Sequence, residues 1–75
     1  MMTTPYPINN MYHIKEGTNY IHCRTSSKGM EWTTNRLTTS TSFLLKEFVR
    51  IEDDFYVFKN GTELFYFRVE DVRML

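Results

Sequence analysis

The chain of 75 residues contains no alanine and no glutamine, and it has one cysteine, two prolines and three glycines. Because alanine and glutamine favour helices, their absence removes much of the usual support for helical structure. A single cysteine excludes an intrachain disulfide and a zinc site built from several thiolates. No apolar run is long enough for a secretory signal or a membrane span, so the sequence predicts a soluble, cytoplasmic protein without a membrane partner.

An excess of charge of one sign is also lacking, since nine Lys and Arg residues balance nine Asp and Glu residues. A general nucleic-acid binder needs a basic excess to release counterions, and a mimic of DNA needs an acidic excess. The balance argues against both classes. No motif specifies a nucleophile with its base and orienting group, so we predict that the chain is not an enzyme and needs no cofactor.

The residues that are abundant favour strands. Aromatic residues make up 16% of the chain, and there are ten threonines. Aromatic and β-branched side chains fit a pleated, half-buried surface. We predict one domain over residues 1–75, with an irregular lead-in over residues 1–10, where Pro5 and Pro7 disfavour a regular strand. The predicted fold class is all-β, a curled antiparallel sheet or barrel of five to six short strands; the alternative is α+β with one short helix.

The strongest local signal is a hairpin over residues 55–67, in which Asn60-Gly61 separates two aromatic runs. Asn-Gly is typical of a type I′ turn, because both central residues need φ > 0. The expected cross-strand pairs are Phe58 with Glu63, Val57 with Leu64, Tyr56 with Phe65 and Phe55 with Tyr66. Side chains alternate along a strand, which gives two apolar faces: one with Phe55, Val57, Leu64 and Tyr66, the other with Tyr56, Phe58, Phe65 and Phe67. Both faces must therefore be covered.

A second hairpin is predicted for residues 11–16 and 19–24 around Gly17-Thr18, with glycine in the first position of a type II′ turn. Its apolar side pairs Ile14 with Ile21 and Tyr12 with Cys23, which makes Cys23 a core residue. Its polar side places His13 opposite His22. Two facing imidazoles could bind a metal or respond to pH, but the pattern supplies no third ligand. We therefore predict no metal site.

The other segments give weaker signals. Residues 30–34 alternate and read as a third strand, and residues 52–54 read as a turn. Residues 43–51 fit either a helix or a strand, and we favour a strand over 47–51 after one helical turn. Residues 69–75 fit a final short strand or a single turn.

The second aromatic face of the main hairpin suggests a function. Its members are Tyr56, Phe58, Phe65 and Phe67. One interpretation is that residues 43–48 cover them within the domain. The other is a subunit or partner interface, where aromatic residues are enriched. On the second interpretation we predict a small protein-binding module that inhibits or regulates a larger protein by contact, and a symmetric homodimer is plausible before that partner binds.

A nucleic-acid interface is the alternative. The polar side of the second hairpin would bring basic and aromatic side chains together: Lys15, Tyr20, His22, Arg24 and, nearby, Trp32. Such a mixture suits single-stranded nucleic acid, because rings stack on bases and cations follow the phosphates. The competing interpretation is an ordinary solvated face.

In architecture, the succession of short strands with a terminal hairpin is similar to small SH3-like or Sm-like barrels, although no motif of either family maps onto these residues. The lack of alanine and the richness in Asn, Thr, Tyr and Phe are similar to many short bacteriophage or mobile-element proteins. Neither similarity assigns a function, because one fold hosts many functions.

Overall fold

Two antiparallel sheets make up the computed structural model, which describes residues 11–74. The smaller sheet has the strand order β4-β1-β8, and the larger has the order β3-β2-β7-β6-β5. The strands are β1 Met11–Ile14, β2 Asn19–Ser26, β3 Gly29–Arg36, β4 Thr41–Leu44, β5 Phe48–Glu52, β6 Phe55–Asn60, β7 Glu63–Arg68 and β8 Val72–Met74. The all-β class is confirmed, but the described residues form eight strands in two sheets, which corrects the predicted single sheet of five to six strands. The two sheets do not close into a barrel within the described range, and the predicted lead-in over residues 1–10 lies outside it.

The main hairpin is formed by β6 and β7, but its predicted turn was wrong. Asn60 pairs with Glu63, so the two turn residues are Gly61 and Thr62. Gly61 has φ +65° and Thr62 is not among the positive-φ residues, which fits a type II′ turn. Each predicted pair is therefore displaced by two positions, and Val57 faces Tyr66. A shift of two leaves every side chain on its predicted face, because side chains alternate with period two.

The predicted second hairpin is also wrong, because β1 and β2 belong to different sheets. A turn follows β1, in which the Thr18 N–H donates to the Lys15 carbonyl at 3.3 Å and Gly17 has φ +87°. This turn is a corner that carries the chain from the smaller sheet to the larger one. Tyr12 does not pair with Cys23, and Ile14 does not pair with Ile21. The glycine requirement was recognised correctly, but a corner and a hairpin both satisfy it.

The segment around residues 43–51 contains strand, turn and strand. A 3₁₀ turn, Leu45–Glu47, separates β4 from β5, so the strand favoured for residues 47–51 is confirmed with slightly different bounds. The Leu44 N–H donates to Glu47 Oε1 at 2.7 Å, which satisfies a backbone donor at the start of this turn. The turn at residues 52–54 is confirmed, and a second 3₁₀ turn, Val69–Asp71, precedes the short strand β8.

The core lies between the two sheets and is aromatic. Its buried members are Tyr12, Ile14 and Phe43 from the smaller sheet and Phe58 and Phe67 from the larger. The rings of Phe43 and Phe58 stack with centroids 4.5 Å apart and an interplanar angle of 4°. Phe48 and the half-buried Tyr56 and Phe65 pack around this cluster.

This packing corrects the predicted exposed aromatic patch. Phe58 and Phe67 are 0% and 1% exposed, because β1 and β4 cover that face of the main hairpin. Phe43 and Phe48 supply part of the cover, as the first of the two interpretations expected. An exposed partner surface at Phe58 and Phe67 is therefore wrong, and Tyr56 and Phe65 lie at the margin of the core.

We expect Gly61→Val to lower the free energy of unfolding by about 1–3 kcal/mol, because a β-branched residue is strained at positive φ. A Cβ at this position would meet no heavy atom within 4 Å, so the loss would report backbone strain alone. Thr62→Val adds the same side chain one residue later, where φ is not positive. Urea unfolding measures both variants. Equal destabilisation by the two would contradict the turn assignment.

The core also predicts a pH dependence. Burial, with a smaller effect of the neighbouring Tyr56, raises the pKa of Tyr12 from its usual 10.0. The folded state then keeps a proton that the unfolded state loses, so stability is intact below about pH 10 and falls above it. Tyr12→Phe should weaken this fall. Urea unfolding of both proteins between about pH 8 and pH 11 measures it. Identical alkaline slopes would contradict the assignment.

Candidate functional site: the open face of the larger sheet

The larger sheet carries a second apolar cluster on the face that points away from the smaller sheet. Cys23, Val57 and Tyr66 are its buried members. Every described member of the cluster comes from β2, β6 or β7, so no second layer of described residues contributes to it. Two neighbours on β3 extend the cluster to the sheet edge. We call this surface the open face: Ile21, Cys23, Met30, Trp32, Phe55, Val57, Leu64 and Tyr66.

Cross-strand register places these side chains together. Cys23 pairs with Trp32 on one side and with Leu64 on the other. The ring of Trp32 lies 5.5 Å from that of Tyr66, centroid to centroid. Trp32 is nevertheless 53% exposed and Met30 is 56% exposed. Large apolar side chains that remain exposed beside an apolar cluster typically mark an interaction surface.

A cavity of about 210 Å³ crosses the open face. Ile21, Trp32, Phe55 and Tyr66 supply its apolar lining, while Glu52 and Asp53 contribute acidic side chains. Pockets for small molecules usually measure about 300–1,000 Å³. This cavity is smaller, and its size suits one inserted side chain.

Charged groups border the open face near β5 and β7. Arg50 Nη2 lies 2.9 Å from Glu52 Oε1, and this hydrogen bond is the main reason that the pKa of Arg50 is raised. The Arg68 guanidinium lies over the Phe55 ring, 5.6 Å from its centroid. An apolar centre with a charged rim is the usual anatomy of a protein–protein interface.

The predicted nucleic-acid face does not assemble as expected. Tyr20, His22 and Arg24 do share one face of β2, because they alternate along the strand. His22 Nε2, however, lies 3.0 Å from Glu63 Oε1, and Arg24 Nε donates to Glu31 at 3.3 Å. Carboxylates of the same sheet therefore already contact both of these side chains. Trp32 lies on the opposite face, opposite Cys23, and Lys15 lies in the corner between the sheets.

The predicted histidine pair is separated. His13 lies on β1 opposite Ser42 and Arg73, whereas His22 lies on β2 in the other sheet. Across residues 11–74, no three His, Cys, Asp or Glu side chains come together as a metal-binding group would. Cys23 is buried as expected, but it packs with Val57 and Tyr66 instead of Tyr12. None of the described helices has the length and apolar character needed to cross a bilayer.

Two further cavities lie on the side of the sheet that faces the smaller sheet. One, of about 310 Å³, is lined by core rings and by polar groups that include Ser42, Asn60 and Glu47. Its Glu47 carboxylate already accepts a hydrogen bond from the Leu44 N–H. The other, of about 240 Å³, is lined by His22, Arg24, Glu31 and Thr33, and Arg24 pairs with Glu31 within it. Neither cavity presents exposed aromatic side chains as the open face does.

Alternation along β6 and β7 places Phe55, Val57, Leu64 and Tyr66 on one face, whereas the interface was predicted on the other face. The position of Trp32 on the open face could have been derived from the turn at residues 26–29. It pairs Ser26 with Gly29 and thereby places Trp32 opposite Cys23.

Comparison with protein-family models, with curated proteins and with solved structures found no match for this chain.

The open face predicts a change in cysteine reactivity. Cys23 is 1% exposed and lies beside Trp32, so a thiol reagent should reach it only after local opening. We expect Trp32→Ala to speed the labelling of Cys23 about 5–30-fold, which corresponds to about 1–2 kcal/mol less protection. Thr33→Ala, on the opposite face of the same strand, is the control. Equal labelling rates in both variants would contradict this arrangement.

Proposed function

We propose that this chain is a non-enzymatic protein-binding module that inhibits or regulates a larger protein by contact through the open face. The main support for this proposal is that Trp32 and Met30 remain more than half exposed beside a buried apolar cluster. Tryptophan, tyrosine and methionine are enriched in the centres of interfaces, and tryptophan is a frequent hot spot. The proposed partner therefore presents a complementary apolar surface.

The cavity supports the same proposal. A partner side chain inserted between Trp32 and Phe55 would contact rings on two sides and the Tyr66 ring below. The charged rim around Arg50, Glu52 and Arg68 would add orientation, because rim charges contribute more to specificity than to affinity. Inhibition or regulation would follow from occupying the partner's surface, a mode that requires no chemical step by the module.

Binding to single-stranded nucleic acid through the same face is the second candidate. The partly exposed Trp32 and Phe55 rings could stack on bases, and Arg68 lies close to Phe55. The zero net charge favours the protein partner.

Trp32→Ser and Met30→Ser should weaken partner binding, and Met74→Ser should not. Met30 and Met74 are a matched pair, since both are methionines on strands and they are 56% and 58% exposed. Wild type would first capture the partner from source-cell lysate, with and without nuclease. Titration of the purified partner then measures each affinity. We expect Trp32→Ser to weaken it about 30-fold or more, the loss of a typical hot spot.

Thermal unfolding of each variant checks that the domain remains folded. Equal affinities for wild type, Trp32→Ser and Met30→Ser would contradict a contact through the open face. Loss of the captured material after nuclease treatment would favour the nucleic-acid candidate.

A further inference from the structure

Among residues 11–74, no strand pairs with the outer edge of β3, which leaves a long row of backbone donors and acceptors there. β3 spans Gly29–Arg36 at one end of the larger sheet, and all its residues are exposed. Its pairing with β2 runs without interruption from Ser26–Gly29 to Asn19–Arg36. An uninterrupted, exposed edge of this kind is a template for another strand.

The opposite edge of the same sheet is built differently. β5 has five residues, and its register with β6 shifts between Phe48 and Arg50. Bulges, short length, proline and charged side chains, above all lysine, are the usual protections against edge-to-edge pairing. β3 has two charged residues, Glu31 and Arg36, but it contains no proline or lysine, it has eight residues, and its ladder with β2 has no such shift. The edge of β3 therefore lacks the protection that β5 has.

Register determines which groups of β3 point outward. The two-residue turn Ser27-Lys28 makes Ser26 and Gly29 a hydrogen-bonded pair, and such pairs alternate along an antiparallel ladder. Residues 29, 31, 33 and 35 therefore bond to β2. The backbone groups directed to the free edge belong to Met30, Trp32, Thr34 and Arg36.

We infer that this edge pairs with β3 of a second copy of the chain, antiparallel about a two-fold axis at Thr33. The two larger sheets then become one continuous sheet. A two-fold axis perpendicular to the sheet pairs residues of the same face, so only positions of equal parity meet. The resulting pairs are Thr33 with Thr33, Trp32 with Thr34, Glu31 with Asn35 and Met30 with Arg36.

This register is self-complementary. Thr33 meets its own copy, and the Asn35 amide can donate to the Glu31 carboxylate; hydrogen-bonding pairs of this kind stabilise adjacent strands. Centring on Trp32 would instead place Lys28 opposite Arg36, and centring on Glu31 would place two carboxylates opposite each other. Centring on Thr34 would leave only residues 32–36 of β3 paired within the strand. Centring on Thr33 pairs residues 30–36 of the two copies and places no two residues of like charge opposite each other.

The dimer leaves the open face accessible. Both copies would present this face on the same side of the joined sheet, with one Trp32 on each side of the axis. Dimerisation through β3 therefore does not require partner binding through the open face, and the two can occur together.

Sedimentation equilibrium tests the dimer across protein concentrations with wild type, Thr34→Pro and Thr34→Val. Wild type should approach twice the chain mass of 9.1 kDa at high concentration. Thr34→Pro removes an outward N–H without removing a bond to β2, a position where an edge strand tolerates proline, so it should remain at 9.1 kDa. Thr34→Val keeps the N–H and should dimerise like wild type.

Hydrogen exchange of wild type gives an independent readout, also useful if Thr34→Pro does not fold. Amides of Met30, Trp32, Thr34 and Arg36 should gain protection as concentration rises. Those of Glu31, Thr33 and Asn35 should be protected throughout.

Wild type of one chain mass at every concentration would overturn the inference. A dimer that Thr34→Pro leaves intact would also overturn it, because the copies would then meet elsewhere. Protection of the outward amides in a monomer would show that another segment of the same chain occupies the edge.

Discussion

The structure depends on a central hairpin that is apolar on both faces. On one side of β6 and β7 lie Phe58 and Phe67, and on the other lie Val57 and Tyr66. β1, β4 and β8 form a covering layer over the first of these faces. Within residues 11–74, the other face is covered only by neighbouring side chains of the same sheet, which is why Val57 and Cys23 are buried beneath larger residues while Trp32 is not.

Local sequence signals predicted the parts of the fold that local physics determines. The alternation along β6 and β7 assigned each side chain to its correct face, even though the turn was placed one residue early. Glycine at positive φ was expected at both Gly17 and Gly61 and is found at both. What glycine could not distinguish is a hairpin from a corner. The strands that pair with β1 follow it by about 30 and 60 residues, so local sequence patterns could not predict these pairings.

The sequence predicts which residues of β6 and β7 share a face, but it does not predict which of the two faces stays exposed. The face of Phe55, Val57, Leu64 and Tyr66 was recognised, but which face becomes covered is decided by the distant strands β1, β4 and β8.

The described ion pairs join residues that are close neighbours in the sheet, so they depend less on distant strands. Arg24 faces Glu31 across a strand pair, and Arg50 and Glu52 lie two residues apart. Exposed pairs of this kind contribute about 1 kcal/mol or less.

The pairing of β1 with β8 sets an order of events during synthesis. Tyr12 lies opposite Met74, so the smaller sheet cannot be complete until nearly all of the described chain has left the ribosome. The hairpins β2–β3, β5–β6 and β6–β7 connect adjacent segments and can form earlier. The pair β1–β4, which covers Phe58 and Phe67, also precedes β8 in the chain. Until β8 emerges, the edge of β1 that later receives it is a free strand edge, which another strand or a chaperone could bind.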